Sequence, residues 1–363
     1  MRKTVGALGL AFVFLAVWES DVRAQVTVTY TPGAQTQQIL NATGMSTTDF
    51  QNVLNGKLDA LFQMTNAAGF LQRFGDAQSF TSKGMGVDYA SEATYVEVGG
   101  SASLAFGMDR NYQPGSIQGV PIQVQSVGLN ASLMAGVSLS SLGIPVMLFG
   151  NGMHVPTQHY GDMSGSLDNW GVHAQLRLWG PSRKTTALKV LARWGGIAVT
   201  TGYDYSHMSL RLSQNISSNA SIPNTLSPGA NVDMTGFASV SADMTTKSIP
   251  LEVTTSLRLL TLLTAYGGAG FDFQLGGGAT MNADLDASLL GHTPVAGGQP
   301  TNLDLGSAHV HVVIPPVGLS RAKIRGIAGV QVNLWLLRPF LQFNISNTTP
   351  TMYSVAVGAR VAY

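Results

Sequence analysis

The residues best placed for nucleophilic catalysis lie around Ser164. This serine sits in the segment Gly161–Gly165, and His159 is close to it in the chain. A serine nucleophile needs a base within hydrogen-bonding reach, and the Gly-x-Ser-x-Gly elbow also needs a sharp strand-to-helix turn. The surrounding residues predict an external loop between two strands instead. We therefore do not expect a serine hydrolase site here.

Two pairs of residues have the spacing of metal ligands on a strand. His309 and His311 lie two residues apart, so both would occupy one face of a strand, but they alternate with valines as ordinary polar residues do. Asp284 and Asp286 have the same spacing and lack the ligand pattern of a calcium loop. The sequence contains neither a phosphate loop nor an HExxH motif. We expect no enzyme, no cofactor and no metal site.

Charged residues on the predicted strands form the other candidate site, a charged lumen. The parity of the strands predicts inward-facing charges at Glu97, Arg177, Lys189, Arg193, Glu252, Arg258, Asp272, Arg325 and Arg360. Isolated charges in a narrow lumen are costly, so most of them should pair. Two interpretations remain open: structural salt bridges that make the wall rigid, or a slight cationic excess that favours anions.

Composition restricts the class of protein. Only 11% of residues are charged, against about 25% in ordinary soluble domains. The formal net charge is +1, which gives no reason to expect a nucleic-acid partner. The chain has no cysteine, so disulfides, thiolate metal sites and a lipidated cysteine are excluded.

The first residues have the pattern of a signal peptide. Arg2 and Lys3 precede an apolar run from Thr4 to Trp18, and small residues at Val22 and Ala24 suit a signal peptidase. The apolar run is shorter than the roughly 20 residues of a transmembrane helix. Residues 1–24 are therefore predicted to be a cleaved signal peptide, with an uncleaved anchor as the alternative.

Alternation of apolar and small polar residues is the main evidence for the fold. It is clear in Val127–Leu139 and recurs in Val172–Leu178, Leu251–Leu259 and Ala265–Leu275. A soluble β-sandwich also alternates, but its water-facing side is normally rich in charges. Here the polar side is mostly Gly, Ser, Asn, Gln and Thr, which suits a crowded lumen. An all-β, antiparallel transmembrane barrel is predicted over residues 85–363.

The number of strands follows from the connections. Short and long connections alternate along the chain, as in outer-membrane barrels with tight periplasmic turns and long external loops. The long ones include His154–Ser166 and Ser213–Ala230. This reading predicts about ten strands. If Lys247–Pro250 and Pro315–Pro316 were also turns, the count would rise to 12 or 14.

A different pattern precedes the barrel, within residues 25–84. Apolar positions at helical spacing predict an amphipathic helix or helix pair over residues 46–74, with a capping box from Ser46 to Asp49 and a stop at Gly75. This N-terminal segment would either plug the lumen or pack on the mouth of the barrel from the periplasm.

The end of the chain resembles the terminal strand of outer-membrane barrels. Apolar residues alternate up to a final aromatic residue, at Tyr353, Val355, Val357, Val361 and Tyr363. The resemblance implies that these residues form an assembly signal and that the barrel-assembly machinery and outer-membrane lipid are partners. The first strand, near Thr94–Phe106, should pair with this last one, which brings Glu97 and Arg360 close together as a structural pair.

Two further resemblances concern the whole layout. The segment Leu263–Phe273 resembles a strand of uncharacterised outer-membrane barrel families. A helical segment before a barrel is similar to the layout of the plugged fatty-acid-transporter family. Together they imply a bacterial outer-membrane protein, a passive channel or small-molecule transporter narrowed by its N-terminal segment. The alternative is a non-conducting structural or adhesive barrel with external binding loops. No solute is identified.

Overall fold

The computed structural model describes residues 25–33, 36, 46, 48, 52, 67–90, 95–108, 124–180, 192–221, 231–293, 301–348 and 350–363. Within them the chain forms a first strand β1 (Gln25–Pro32), a helix α1 (Ala67–Thr81) and a series of antiparallel strands. The strands are β2 Val96–Met108, β3 Val124–Ser138, β4 Val146–Tyr160, β5 Met163–Trp179, β6 Ala192–Ser221, β7 Asn231–Leu259, β8 Leu263–Thr293, β9 Thr301–Gly318, β10 Ala322–Val332, β11 Leu337–Ser346 and β12 Thr351–Ala362.

The strands close into a ring. Each strand from β2 to β8 pairs antiparallel with the next, β10 pairs with β8 and β11, and β12 pairs with both β11 and β2. β9 and β10 share one position, because β10 pairs with the first part of β8 and β9 with the second part. The wall therefore has ten positions, in agreement with the predicted count.

The two ends of the ring differ. The turn end carries short connections at residues 139–145, 260–262 and 333–336, together with the start of β2 and the end of β12. The opposite end is the loop end. Four strands run well past the rest of the wall there, and β1 joins them by pairing with residues 306–313 of β9. We call this part the extension: β1, β9 and residues 205–221, 231–247 and 276–293.

The two parts of the wall have opposite polarity. Near the turn end, Leu251 and Val253 face outward and are exposed, whereas Glu252 faces inward and is buried. In the extension, Leu285 faces inward and is buried, whereas Asp286 is exposed on the outside. An apolar exterior suits lipid and a polar exterior suits water. The part near the turn end is therefore a transmembrane β-barrel, which we call the membrane section.

Strands and aromatic residues in the membrane section have the expected dimensions. β10, β11 and β12 contain 11, 10 and 12 residues, close to the 9–11 residues of a transmembrane strand. Trp179, Trp194 and Trp335 are exposed at the turn end, and Trp170 lies 5.7 Å (ring centroids) from Tyr205 near the extension. These positions are those of the aromatic girdles at membrane interfaces. None of the described helices is long and apolar enough to cross a membrane.

The inversion of polarity coincides with an irregularity in β8. The register between β7 and β8 shifts between Lys247 and Ser248, because Leu275 in β8 has no partner in the β7 ladder. One extra residue turns the next side chains of a strand to the opposite face. Even-numbered residues of β8 therefore face inward before Leu275 and outward after it.

Several local predictions were wrong. His154–Ser166 is not a long loop, because β4 and β5 continue to a tight turn at Gly161 and Asp162. Lys247–Pro250 lies within β7, and Pro315–Pro316 within β9; the break comes later, after Gly318. These breakers are tolerated at places where the ladder register shifts.

The N-terminal prediction was partly wrong as well. Helix α1 passes the predicted stop at Gly75 and ends at Thr81, and strand β1 was not expected. A Cβ at Gly75 would lie 2.4 Å from Leu319 Cδ2, so a larger residue there would displace the Leu319 side chain. Residues 1–24 and most of 46–66 lie outside the described residues.

Candidate functional site: the filled lumen

Helix α1 and the following residues 82–90 lie inside the ring, and we call them the plug. Successive residues of the plug contact positions on β8 that lie progressively closer to the turn end. Leu71 packs in one cluster with Ala279 of β8, Ser79 donates a hydrogen bond to Gln274 at 3.3 Å, and the Tyr89 ring lies 5.8 Å from Tyr266. The plug therefore runs antiparallel to β8, from the extension towards the turn end.

The top of the plug is held by apolar packing at the base of the extension. Leu71 is buried against Met208, Met244 and Ile314, and Phe74 packs at the edge of this cluster. Burying a side chain of this size contributes roughly 1.5–3 kcal/mol. Lower down, the helix backbone touches the wall itself: a Cβ on Gly128 would lie 2.7 Å from the carbonyl carbon of Ala77.

Asp76 makes the first ionic contact between plug and wall. Its Oδ1 lies 2.9 Å from Lys323 Nζ, and both side chains are buried. Ser320 donates from its hydroxyl to Asp76 Oδ2 at 2.5 Å and from its backbone N–H to Oδ1 at 3.0 Å. Asp76 thus fixes the short break between β9 and β10.

Lys83 makes the second contact. Its ammonium donates to Asp204 Oδ2 at 2.9 Å and to the hydroxyl of Ser248. The other carboxylate oxygen of Asp204 lies 3.3 Å from His173 Nε2. A lysine from the plug therefore bridges β6 and β7.

Asp88 makes the third contact, with Arg360 near the turn end. Arg360 donates to Asp88 Oδ1 at 2.9 Å and to the carbonyl of Val87 at 2.8 Å. Its Nε lies 3.5 Å from Glu97 Oε1, and its guanidinium lies 3.8 Å from the centre of the Phe340 ring. The predicted proximity of Glu97 and Arg360 is thus observed, with an unpredicted third partner from the plug.

Arg325 organises a separate cluster in the wall. It donates to Asp272 Oδ2 at 2.9 Å, to Asn344 Oδ1 at 3.2 Å and to Glu252. The plug joins this cluster through Tyr89, whose hydroxyl donates to Glu252 Oε2 at 2.5 Å. The Tyr89 hydroxyl thus links the plug to β7.

The predicted lumen charges fall into three groups. Glu97, Glu252, Asp272, Arg325 and Arg360 are buried on the inner side of the wall. Arg177, Arg193 and Arg258 are partly buried, on the part of β5, β6 and β7 nearest the turn end. Lys189 lies outside the described residues.

The fully buried charges of the described residues are six acids and four bases: Asp76, Asp88, Glu97, Asp204, Glu252 and Asp272, with Lys83, Lys323, Arg325 and Arg360. The partly buried Arg177, Arg193 and Arg258 add to the basic side. Strand parity alone would have predicted two of the fully buried residues, because Asp204 shares the inner face of β6 with Ser206 and Lys323 shares the inner face of β10 with Arg325. The plug residues carried no such signal, because a helix and a loop inside a ring leave no alternation to read.

One cavity between plug and wall has a volume of about 20 Å³ and is lined by Asp88, Tyr89, Gln175, Arg177 and Ser256. This is space for about one water molecule. In the part of the chain that the structure describes, every buried lysine and arginine contacts a carboxylate. The plug therefore occupies the lumen at this level and is in direct contact with the wall.

The residues considered for catalysis or metal binding lie elsewhere, in the extension and the β4–β5 hairpin. Ser164 and His159 face each other across that hairpin. In the extension, His309 Nδ1 lies 2.6 Å from Asp286 Oδ1, and His311 Nδ1 lies 2.5 Å from Asp284 Oδ1. The described residues contain no group of three or more His, Cys, Asp or Glu that could hold a metal ion.

The predicted assembly residues line the outside of β12. Val357, Val361 and Tyr363 are exposed, and Tyr353 packs 5.7 Å (ring centroids) from Phe106. Tyr363 closes the seam, because its N–H donates to the Val96 carbonyl at 2.9 Å.

A protein-family profile described as Lsa36-like matches residues 21–363. The chain belongs to the Lsa36-like family. The match covers β1, the plug and the whole wall. No curated protein matches this Lsa36-like chain.

Several solved outer-membrane barrels are similar to the Lsa36-like chain. The translocator domain of the autotransporter NalP from Neisseria meningitidis has 12% identity and a TM-score of 0.32, over 82% of this chain and 98% of that one. The attachment invasion locus protein Ail of Yersinia pestis has 10% identity and a TM-score of 0.25, over 75% and 100%. A Pseudomonas aeruginosa FadL homologue has 7% identity and a TM-score of 0.24, over 80% and 98%.

Proposed function

We propose that this protein is a non-conducting barrel of the bacterial outer membrane that displays its extension at the cell surface. This is the structural or adhesive alternative of the sequence analysis rather than the channel. The observation that carries the proposal is the plug inside the lumen, where its residues Asp76, Lys83 and Asp88 each pair with a buried wall charge. Export by the signal peptide at residues 1–24 and insertion by the barrel-assembly machinery into outer-membrane lipid belong to the same proposal.

The energetics support a closed state. Removing one partner of a buried ion pair costs roughly 3–5 kcal/mol, because the other charge stays buried and unpaired. A solute passing the plug would have to separate three such pairs and also the Tyr89–Glu252 hydrogen bond. Thermal motion alone does not supply that much free energy at a useful rate.

The extension supports a role in contacts outside the membrane. Its outer face is polar, and a cavity of about 220 Å³ lies across β1, β7, β8 and β9. Thr29, Asp286, Ser288, Ser307 and His309 line this cavity. Hydroxyl, carboxylate and imidazole groups on a water-facing sheet are suited to a polar partner.

A channel that opens when the plug moves is the second candidate. The observation that favours it is the polar character of the plug–wall contacts. Charged groups that separate into water are hydrated, so their separation costs less free energy than the exposure of an apolar surface. In this case too the resting lumen is closed, and an external signal would have to release the plug.

Planar-bilayer recording of the full chain tests the proposal. We expect no steady conductance from the wild-type protein. The plug variant Asp76→Asn/Lys83→Met/Asp88→Asn should show current, because it leaves wall charges without partners and lets water enter. The matched control, Asp284→Asn/Asp286→Asn on the outer face of the extension, should stay silent. Steady conductance of the wild-type protein would contradict the proposal and favour the channel.

A further inference from the structure

The two ends of the N-terminal segment lie at opposite ends of the barrel. Tyr95 is at the turn end, where its N–H donates to the Tyr363 carbonyl at 2.8 Å and its carbonyl accepts from Ser138 N–H at 2.8 Å. Strand β1 is in the extension, where Gln25 pairs with Val313 and Pro32 with Gly306. The chain between them must therefore pass from one side of the membrane to the other.

The plug shows which way it passes. Its contacts with β8 move from Ala279 through Gln274 to Tyr266 as the plug continues from Leu71 to Tyr89. These residues lie within the closed ring, and β8 is continuous from the turn end into the extension. The route from β1 to β2 therefore runs down the lumen.

The extension is shaped to receive β1. Gly306 has a backbone φ of +96°, and a Cβ there would lie 2.1 Å from the Thr31 carbonyl oxygen. Tyr30 turns inward, is buried, and donates from its hydroxyl to the Leu305 carbonyl. Eight residues of β1 pair with β9 in unbroken register. β1 is thus a built part of the sheet.

We infer that the lumen of this barrel is the route by which its own N-terminal segment reaches the cell surface, and that the plug is the part of that segment left inside. The barrel has a transport activity directed at its own chain, and the substrate class is an unfolded polypeptide. After transfer, β1 completes the external sheet and the three ion pairs retain the plug. The inference rests on the proposed placement in the outer membrane, with the loop end outside.

Surface labelling of the full-length protein in intact cells tests the inference. The sequence has no native cysteine, so an introduced thiol is the only labelling site in the chain. Thr27→Cys places a thiol on the exposed face of β1, Asp162→Cys on the turn at the loop end, and Ser141→Cys on a turn at the turn end. A membrane-impermeant maleimide should label Thr27→Cys and Asp162→Cys on intact cells. It should label Ser141→Cys only after permeabilisation.

The outcomes separate the two proposals. If Thr27→Cys is labelled only after permeabilisation while Asp162→Cys is labelled on intact cells, threading is wrong and the outer-membrane placement stands. If Ser141→Cys is the one labelled on intact cells, the orientation is wrong and both proposals fail. Thr31→Cys, also exposed on β1, gives the same test if Thr27→Cys does not fold. The double variant Thr29→Cys/His309→Cys, whose positions are partners across β1 and β9, should crosslink on oxidation.

Discussion

Arg360 illustrates what single residues contribute to this barrel. Strand parity indicated from the sequence that it faces the lumen beside Glu97, and the two side chains are in contact. Its main partner, Asp88, could not be foreseen, because a residue in a loop inside a ring has no periodic signal. Parity thus reveals the wall charges, whereas partners supplied by the plug require the structure.

We predict that Arg360→Met destabilises the barrel by roughly 3–5 kcal/mol, since it leaves the buried Asp88 carboxylate without its ion-pair partner. Denaturant unfolding in detergent, followed by heat-modifiable migration, measures the loss. Arg211→Met is the control, because Arg211 is exposed on the extension, and it should change stability by less than about 0.5 kcal/mol. Equal effects of the two variants would refute the assigned role of Arg360.

At the scale of elements, the alternation of apolar and polar residues predicted where strands lie, but not which face of each strand meets lipid, water or the interior. The sequence of β8 alternates apolar and polar residues on both sides of Leu275, so it reads as one membrane strand. The register shift at that residue sends Asp284 and Asp286 to the outside instead. Pattern alone does not contain this shift, because it depends on how β7 pairs with β8.

The lipid-facing side of the membrane section gives a test of where the membrane ends. Leu133, 68% exposed, faces outward from the membrane section, and its neighbour Ser132 is buried on the inside. Leu133→Arg should cost roughly 2–4 kcal/mol near mid-bilayer. Phe237→Arg changes an exposed residue on the outer face of the extension, so it should cost little in water. The folding free energies of the two variants in lipid vesicles measure these costs. A large penalty at both sites would show that the membrane also covers the part of the extension around Phe237.

The contact between α1 and β3 gives a second test at this scale. Gly128→Ala adds a Cβ only 2.7 Å from the carbonyl group of Ala77, so either the helix or the strand must shift. Overpacking of this kind costs roughly 1–3 kcal/mol. Gly150→Ala meets no atom within 4 Å and serves as the control. Chemical unfolding of the two variants should separate them, and identical midpoints would argue against close packing of the plug on β3.

For the molecule as a whole, the sequence predicted an antiparallel transmembrane barrel with a helical N-terminal segment, and the structure confirms that fold. Closure between β2 and β12 followed from the physical requirement that no sheet edge lies in lipid. The extension did not follow, because strands that leave the membrane keep the same alternation as strands inside it. Nor did β1, whose eight residues resemble any short Val- and Thr-rich segment.

The closing seam carries the prediction for assembly. Tyr363 lies at the end of β12, with its ring 6.0 Å from that of Tyr95. Tyr363→Lys should lower the amount of heat-modifiable protein in the membrane fraction, because it removes an aromatic residue of the predicted assembly signal. Leu142→Lys, at an exposed turn on the same rim, is the control and should assemble normally. Equal abundance of both variants would count against Tyr363 as part of the signal.

The unpaired Leu275 has a consequence for how such a chain can evolve. Because one unmatched residue decides which face of the following strand meets water, the loss or gain of a single codon there would exchange the two faces of the remaining part of β8. Asp284 and Asp286 would then enter the interior, and Leu285 and Leu289 would meet solvent. Substitutions in the extension can accumulate one at a time. A change of length at this point cannot, so strand length here should vary far less than amino-acid identity.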